Sequence, residues 1–565
     1  MADDDTLHTN PSHEGAQRLS FDPPNRGHAI ASPATIRIPL PLDWLDRDAA
    51  KVLRRLKKSG HTAYLVGGCV RDLMLGRYPK DFDIATSALP REVKRVFSNC
   101  RLVGRRFRLA HVRFHDNLIE VATFRRSPSP GTIPEADAGG TEGEEARKDA
   151  SGPEEKGERA SGAYRGDLLI LSDNVFGTEE QDARRRDFTV NGLFFDVANE
   201  ELRDWVGGTQ DIRDRVIRTI GEPEIRFRED PVRMLRAIRF AAALGFTIEP
   251  VTWAAMRASA PDILRSARPR VLEELFRMLR GGAAARCVYL LSAAGLLPFL
   301  LPELGAGPVN DEHVDKAIPT LVGEGLPASP ALSPAESATG SWAASVGVPH
   351  PVLRILQAID VCTGNGIALA NHMLLALLTL AKSASLNEGD DAKRDHPHLD
   401  LIALNEILAE LTQSRLRLSR RERERARAAL MGLVRITSRA ERGLSLAILS
   451  KKSYYPDALT LFAISAWARG RGMETVPSLI RRSRLNQETL QILDLMTRCG
   501  ERCEDHAEAS AHAPTEGRRS RRRGRRRGRR RARGGEPSST DTLPSGARIP
   551  LSSPMDSDAH AINAE

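Results

Sequence analysis

Two short segments of the chain carry residues that could do chemistry together. They are GGCVRD, from Gly67 to Asp72, and DFD, from Asp81 to Asp83. The first follows the apolar residues YLV and predicts a strand, a glycine turn and a helix, where the glycines let the backbone approach a phosphate and Arg71 adds a positive charge. The second predicts a strand whose alternation puts both carboxylates on one face, about 7 Å apart. Metal-assisted nucleotidyl transfer needs this combination, because two cations can be held between carboxylates and substrate phosphates.

Further candidate side chains occur in two later segments. Glu120 lies in the predicted strand LIEVATFRR, where it either faces the two aspartates or is an ordinary exposed residue. The string RRRDFTVN, from Arg184 to Asn191, sets three arginines before Asp187. These arginines either form a solvated helix face or bind phosphate, since a planar guanidinium can donate two parallel hydrogen bonds to phosphate oxygens.

The segment EDPVRMLRAIRF predicts a helix that carries Asp230, Arg233 and Arg236. One turn separates Asp230 from Arg233, so the two side chains should lie on the same side of that helix. They form either an ordinary salt bridge or a pair that reads a base, in which the carboxylate accepts from an amino group and the guanidinium donates to the neighbouring ring nitrogen. Adenine and cytosine both present such an edge, so the pair alone does not separate them.

Together, in this order and spacing, these segments resemble the signature of the class II nucleotidyltransferases. That superfamily contains the tRNA CCA-adding enzymes and the bacterial poly(A) polymerases. LVGRRFRLAHV, from Leu102 to Val112, is by itself a basic turn before a strand, but it looks like a string typical of bacterial poly(A) polymerases. The resemblance covers roughly Ala63 to Gly282. It implies an α+β fold, with a polymerase-β-like nucleotidyltransferase head that has a small mixed sheet, followed by an all-α RNA-binding region and disordered termini.

The resemblance also implies roles for the candidate residues. Asp81 and Asp83 would bind two Mg²⁺ ions, with Glu120 as a third carboxylate. Asp187 would belong to the catalytic site, where it either touches metal or orients an arginine. Asp230 and Arg233 would read the base. The ATP-binding residues would be Gly67, Gly68, Arg71, Arg185, Arg186, Asp230, Arg233 and Arg236.

The activity that the resemblance implies is template-independent addition of AMP from ATP to RNA 3′ ends, with release of pyrophosphate. One alternative is a CCA-adding tRNA nucleotidyltransferase, which shares nearly every catalytic motif. Another is a catalytically silent RNA-binding protein on the same fold, and the intact carboxylates Asp81 and Asp83 argue against it. The segment around Phe107 and the basic tail favour poly(A) addition.

Composition divides the 565 residues into segments of different character. Hydrophobic residues make up 41% of the chain, which is enough for real cores. Between Thr132 and Ala160, nine acidic and four basic residues interrupt the head, and such a segment cannot bury enough apolar surface to order itself. We expect a disordered N-terminus at 1–40, a head at 41–220 with a disordered insertion at 127–162, a helical neck at 221–304, a low-complexity linker at 305–348, a helical body at 349–505 and a disordered tail at 506–565.

The tail accounts for the basic character of the chain. Twelve arginines lie between Arg518 and Arg533, while the whole chain has a formal net charge of only +9. Such a tail stays unfolded and binds phosphates with little sequence preference, either as a general polyanion-binding segment or as an RNA-binding one. It could also recruit RNA-turnover proteins. The RNA-binding candidates are Arg521, Arg522, Arg523, Arg525, Arg526 and Arg527.

Cysteine usage and hydropathy predict the compartment. The six cysteines are scattered and include no CxxC pair, so we expect neither a disulfide framework nor a zinc site. The N-terminal residues are acidic and polar and do not resemble a secretory signal. No stretch reaches the ~20 apolar residues that a membrane span requires. We therefore expect a cytoplasmic protein without a membrane partner.

Overall fold

The structure, a computed structural model, describes most of the head, neck and body. The described residues are 33–104, 109–126, 175–305, 348–386, 399–413, 418–442, 444, 446–470 and 485–498. All of them belong to one compact unit, Met1–Ala511. The residues around Phe107, the acidic insertion, nearly all of the predicted linker and the arginine-rich tail lie outside the described residues.

An eight-stranded mixed sheet forms the centre of the head. Its spatial order is β1-β8-β7-β2-β3-β6-β5-β4. β3 and β6 pair in parallel, and the other neighbours in this sheet pair antiparallel. The strands are β1 (Ala34–Arg37), β2 (Ala63–Val66), β3 (Ile84–Thr86), β4 (Cys100–Val103), β5 (Leu109–Arg113), β6 (Leu118–Thr123), β7 (Leu193–Asp196) and β8 (Glu201–Asp204).

Side-chain alternation gives this sheet two buried faces. Leu65 of β2 and Phe195 of β7 belong to the main apolar core, whereas their neighbours Tyr64 and Phe194 form a second cluster on the opposite face. Because successive side chains of a strand point to opposite faces, short runs such as AYLV can be buried on both sides. The head is therefore the α+β domain that the sequence predicted.

Five helices flank the sheet or connect its strands. The first begins at Asp46, whose carboxylate accepts from the amides of Asp48 and Ala49, and it buries Leu53 and Leu56 against the core. Such an N-cap satisfies amide donors that have no partner inside the helix. The five are α1 (Arg47–Lys58), α2 (Gly68–Met74), α3 (Pro90–Val96), α4 (Glu179–Arg185) and α5 (Gly208–Arg213).

Helices dominate the rest of the described chain. A small parallel pair, β9 (Val216–Ile217) and β10 (Thr247–Ile248), leads into them. The neck contains α6 (Pro223–Glu229), α7 (Val232–Leu244), α8 (Pro250–Ala258), α9 (Arg268–Leu279), α10 (Ala284–Ala293) and α11 (Leu297–Leu300). The body contains α12 (His350–Gly364), α13 (Asn371–Leu386), α14 (Leu401–Gln413), α15 (Arg420–Glu441), α16 (Tyr455–Arg469) and α17 at residues 487–498.

The body packs its helices closely. At Gly432 of α15, an added Cβ would lie only 2.6 Å from the ring of Tyr454 and 2.7 Å from Ala458, so glycine lets α16 approach. The strings VLRILQAIDV, NHMLLALLTLAK and YYPDALTLFAISAWAR, whose apolar residues are typical of helices, form α12, α13 and α16. Among the helices that the structure describes, none has the length and apolar character that crossing a membrane would need.

The N-terminal segment departs from expectation in one place. Residues 1–40 were expected to be disordered, but Ala34–Arg37 form β1 and pair with β8. The exposed edge of β8 provides unpaired backbone groups, and the β-branched Thr35 and Ile36 suit a strand. Residues 1–32 lie outside the described part of the chain.

The described residues that precede and follow the segment with the acidic insertion are hydrogen-bonded to each other. Arg125 and Phe176 form an antiparallel bridge. The amide of Arg126 donates to the carbonyl of Val175 at 3.0 Å. The described residues on either side of 127–174, the segment that contains the insertion, are therefore joined by backbone hydrogen bonds.

Candidate active site

The predicted strand, glycine turn and helix are confirmed as β2, Gly67 and α2. Gly67 has φ +75°, a conformation that side chains rarely adopt. A Cβ added at Gly67 would lie 3.2 Å from Nη1 of Arg186, and one added at Gly68 would lie 3.6 Å from Nη2 of Arg71. Two guanidinium groups therefore lie directly against the turn.

Arg71 is buried and firmly held beside this turn. Its Nε and Nη2 donate to Oδ1 of Asp72 at 2.9 and 2.7 Å, and its Nη1 donates to Oδ1 of Asn191 at 2.7 Å. A guanidinium has five N–H donors, so two remain for a ligand. The side chain is thus oriented before any ligand arrives.

The arginines of RRRDFTVN are anchored by a residue that the sequence reasoning missed, Asp182. Its carboxylate accepts from Arg185 at 3.1 Å and from Arg186 at 3.0 Å. Burial alone would raise the pKa of Asp182, but the charges and hydrogen bonds of Arg186 and Arg185 hold it below its usual value. The signal was present in the sequence, because Asp182 precedes the two arginines by three and four positions on α4.

Asp81 and Asp83 share one exposed side, although the predicted strand begins later. β3 starts at Ile84, so the expectation that DFD is itself a strand is wrong. The amide of Val66, the last residue of β2, donates to the carbonyl of Asp83 at 3.1 Å. At Gly67 the chain then turns away from β3, so β2 does not extend far enough to pair with Asp81. Phe82 is only 7% exposed, whereas Asp81 and Asp83 on either side of it are exposed. Side chains therefore still alternate between core and solvent here, and both carboxylates lie on the solvent side.

Glu120 lies next to this pair across the sheet. In the parallel register Ile84 is beside Val121, so one step back brings Asp83 beside Glu120. Glu120 is 47% exposed, and its Oε1 lies 3.6 Å from Nε2 of His111. The trio that the sequence indicated is therefore gathered at one edge of β3 and β6.

Negative charge is incompletely balanced around Asp83. Although its side chain reaches solvent, loss of surrounding water and, next, the charges of Glu120 and Asp81 together raise the pKa of Asp83 to about 6, against the opposing effect of Arg186. Among the described residues, no three His, Cys, Asp or Glu side chains form a complete metal site. Hard cations accept carboxylate and phosphate oxygens together, so this carboxylate group fits a cation that also binds substrate.

Asp187 has a different environment from Asp83. Its Oδ2 lies 2.6 Å from Nη2 of Arg236, and its Oδ1 accepts from Asn191 at 3.1 Å. Burial would raise its pKa, but Arg236 first, and then the hydrogen bonds of Asn191 and the Phe188 amide, lower it to about 2. Asp187 therefore orients Arg236 of α7 and, through Asn191, supports Arg71.

Asp230 and Arg233 do not share one helix, contrary to the prediction. α6 ends at Glu229 and α7 begins at Val232, because Pro231 forces an extended conformation on the residue before it. Both oxygens of Asp230 accept from Arg270 of α9, at 2.8 and 2.7 Å. Arg233 instead pairs with Glu229 at 2.9 Å.

The two residues nevertheless remain neighbours. The amide of Arg233 donates to the carbonyl of Asp230 at 3.0 Å. Arg236 lies one turn further along α7. Burial would lower its pKa, but the negative charges of Asp187, then of Glu274 and Asp230, raise it. Arg270 was missed because it lies 40 residues away and carries no local signal. The predicted phosphate-binding and base-reading segments therefore meet at Arg236.

Comparison with known proteins finds two family matches and several relatives. Residues 63–218 match the family described as the poly A polymerase head domain, and residues 245–306 match the probable RNA and SrmB-binding site of polymerase A. The CCA-adding enzyme of Geobacillus stearothermophilus is 36% identical over 45% of this chain and 54% of its own length. A crystal structure of the Bacillus stearothermophilus CCA-adding enzyme in complex with CTP aligns with 82% of this chain and 98% of its own chain, at 23% identity and a TM-score of 0.46.

A longer alignment decides the family. Poly(A) polymerase I of Escherichia coli is 38% identical over 427 residues, which are 72% of this chain and 81% of the relative. This alignment is much longer than the one with the CCA-adding enzyme, and the head-domain match contains the glycine turn, the three carboxylates and Asp187. The chain belongs to the poly(A) polymerase I family.

Proposed function

We propose that the chain is a template-independent polynucleotide adenylyltransferase that transfers AMP from ATP to RNA 3′ ends. The observation that carries this proposal is the carboxylate pair Asp81 and Asp83 beside an arginine-lined glycine turn, in a member of the poly(A) polymerase I family. In the reaction, the RNA 3′-hydroxyl oxygen bonds to the α-phosphorus of ATP. The bond from that phosphorus to the oxygen leading to the β-phosphorus breaks, pyrophosphate leaves with its electrons, and the hydroxyl proton passes to solvent.

Arg71 and Arg186 are proposed to bind the triphosphate. Each uses three N–H donors within the protein and has two left over, and both lie against Gly67 and Gly68. Fixed guanidinium groups bind phosphate oxygens without losing much conformational freedom. Arg185 and Arg236 add positive charge, and the glycines leave room for phosphate against the backbone.

Asp81 and Asp83 are proposed to hold Mg²⁺, with Glu120 as a supporting carboxylate. Their clustered negative charge fits cations that complete their coordination with the triphosphate. Two bound Mg²⁺ ions would neutralise the charge that develops on the attacking and leaving oxygens. The protein side chains need only position the reactants, so no covalent nucleophile is required. Asp187 acts in this scheme through Arg236, as a positioning residue.

Asp230 and Arg233 are proposed to read the base. Arg270 holds both carboxylate oxygens of Asp230, yet each oxygen keeps a further lone pair for an amino group of the base. Because adenine and cytosine share this edge, the pair by itself accepts both. The choice of ATP rests instead on membership of the poly(A) polymerase I family.

The helical region and the arginine-rich tail would both bind RNA. The neck and body would supply the folded part of the RNA-binding region. The tail, with Arg521, Arg522, Arg523, Arg525, Arg526 and Arg527, would add salt-sensitive affinity for phosphate and could engage RNA-turnover proteins. A cytoplasmic location accompanies this proposal.

The competing activity is CCA addition, favoured by the 36% identity to a CCA-adding enzyme over 45% of this chain. Primer extension separates the two. The acceptors are an oligo(A) RNA and a tRNA lacking its CCA end, each with Mg²⁺ and ATP, CTP or both. Long A-tails on the oligo(A), with CTP poorly used, support the proposal. Addition that stops after C, C and A, and only on the tRNA, would contradict it. A catalytically silent RNA-binding protein would extend neither acceptor.

A further inference from the structure

One aromatic ring of α7 is surrounded by guanidinium groups. The carbon centres of Arg71, Arg236 and Arg239 lie 5.2, 5.3 and 4.4 Å from the centroid of the Phe240 ring. Within the described part of the chain, no other ring contacts more than one described cationic side chain. Phe188 meets the same ring edge-on, with 5.9 Å between centroids and an angle of 81°.

Arg71 lies on α2, whereas Arg236 and Arg239 lie on α7 together with the ring, and each of the three pairs most closely with a different carboxylate. Arg71 of α2 pairs with Asp72 at 2.7 Å. Arg236 pairs with Asp187 at 2.6 Å, and Arg239 pairs with Glu274 of α9 at 2.8 Å. Through these three arginines, the Phe240 ring is linked to α2 after the glycine turn, to Asp187 and to Glu274 of α9.

The physical effect of the ring follows from its charge distribution. Three guanidinium groups this close together repel one another, and the carboxylates offset only part of that repulsion. The negative faces of an aromatic ring attract cations, and planar guanidinium groups stack on them. A ring at this position therefore favours one mutual arrangement of the arginines, whereas an aliphatic side chain of similar size would fill space without orienting them.

We propose that Phe240 is a positioning residue for ATP, which sets the directions of Arg71 and Arg236 towards the triphosphate. The inference rests on the proposed function, because it assumes that these arginines meet ATP. Phe240 itself touches no reacting atom. Its loss should weaken ATP binding more than it slows transfer, and RNA binding should not change.

The test compares Phe240→Leu with the conservative Phe240→Tyr and with Phe246→Leu. Phe246 is a fully buried core residue just after α7, and none of the arginines that the structure describes is recorded over its ring, so its variant reports loss of packing alone. ATP affinity is measured by calorimetry as well as by KM, so that a binding result stands even if no tail is made. We expect Phe240→Leu to raise the Kd and KM for ATP about tenfold while kcat changes less than about threefold. Phe240→Tyr and Phe246→Leu should stay near wild type in ATP affinity.

A double-mutant cycle tests whether the ring acts through Arg71. Arg71→Lys keeps the charge but removes the planar group that stacks on the ring. If the proposal is correct, Phe240→Leu has much less effect on ATP affinity in the Arg71→Lys background than in wild type. Should Phe240→Leu not fold, Phe240→Met replaces it in both experiments.

Two results would overturn the proposal. One is an ATP affinity of Phe240→Leu within twofold of wild type, together with a stability loss like that of Phe246→Leu. The other is an equal loss of ATP affinity in Phe240→Leu and Phe240→Tyr. If wild type binds ATP but extends no RNA, the proposed function fails while the Phe240 measurement still stands.

Discussion

Asp83 and Asp187 show how the environment of single residues separates their roles. Burial and the neighbouring carboxylates raise the pKa of Asp83 to about 6, with Arg186 alone opposing them. Burial acts in the same direction on Asp187, but Arg236 and two hydrogen bonds lower its pKa to about 2. Asp83 thus has negative charge that a bound cation could balance, whereas the negative charge of Asp187 is balanced by Arg236 within the protein.

Replacing Asp83 should remove activity without weakening the fold. We expect Asp83→Asn to lower AMP incorporation by on the order of 10³, because a cation ligand is lost. The pKa of Asp83 is higher in the folded protein than the value near 4 that it has in the unfolded chain. Its contribution to stability is therefore fully present below pH ~4 and is lost as the pH rises through about 6. At pH 7.5 without metal, the variant should therefore be at least as stable as wild type in urea.

A matched control for Asp83→Asn is Asp116→Asn, since Asp116 lies exposed in the turn between β5 and β6. It should retain wild-type incorporation. Near-normal activity of Asp83→Asn with saturating Mg²⁺ would contradict the role given to this carboxylate.

The same substitution at Asp187 should have the opposite effect on stability. Asp187→Asn removes the nearer of the two carboxylates that pair with the partly buried Arg236 and leaves only Glu274 at 3.6 Å, which should cost about 3 kcal/mol of unfolding free energy at pH 7.5. The sign follows from the lowered pKa, since this stabilisation exists above the unfolded pKa near 4 and disappears as the pH falls through about 2. Urea unfolding measures it, and an unchanged midpoint would show that the ion pair contributes little.

At the scale of elements, local patterns predicted most of what positions the site. The glycine turn into α2 and the hairpin of β5 and β6 follow from glycine, alternation and turn residues. The start of β3 could not be predicted, because it depends on where β2 turns away at Gly67. The break between α6 and α7 had a readable signal in Pro231, which the apolar period of the segment obscured.

Contacts between residues distant in sequence could not be predicted from local sequence patterns. Arg270 holds Asp230 across 40 positions, and Arg71 reaches Asn191 across 120. Such contacts depend on how complete elements pack, so no spacing rule identifies them. Asp182 was the exception, since its distance of three and four positions from Arg185 and Arg186 is a helical signal.

The junction of neck and body contains a carboxylate whose protonation should affect stability. Asp360 of α12 is partly buried and accepts from the amides of Ala284 and Ala285, at 2.6 and 3.1 Å, where α10 begins. Burial raises its pKa to about 7, against the opposing effects of those amides and of Arg286. Cys287 also lies within electrostatic range.

Because the pKa of Asp360 is raised, its stabilising contribution is present below pH ~4 and is lost as the pH rises through about 7. The stability of wild type relative to Asp360→Asn should therefore fall by roughly 1 kcal/mol per pH unit between pH 5 and 6.5, and level off above pH ~7.5. Urea unfolding of both proteins across this range measures the difference. A difference that does not change with pH would mean that Asp360 ionises normally in the folded protein.

At the scale of the whole molecule, the described core of the head closes without the acidic insertion. Arg125 and Phe176 already bridge its two ends, and Gly177 donates to the carbonyl of Phe124 at 2.9 Å. The insertion itself lies outside the described residues. A segment whose ends meet in a bridge can be shortened without separating the strands on either side.

Deleting residues 132–160 should therefore leave folding and nucleotide incorporation intact. We expect kcat/KM for ATP within about twofold of wild type, since shortening a loop changes its closure free energy only slightly. Thermal unfolding checks the fold, and extension of oligo(A) RNA checks the activity. A large loss of ATP turnover in a folded deletion variant would instead assign the insertion a part in the site.

The central claim is that Asp81 and Asp83 support transfer of AMP to RNA. Its most direct test is incorporation of labelled ATP into an oligo(A) RNA with Mg²⁺, comparing wild type with Asp83→Asn over one time course. Wild type should make long, heterogeneous A-tails and the variant almost none, although both bind the RNA equally. Absence of tails from folded wild type, or equal tails from both proteins, would contradict it.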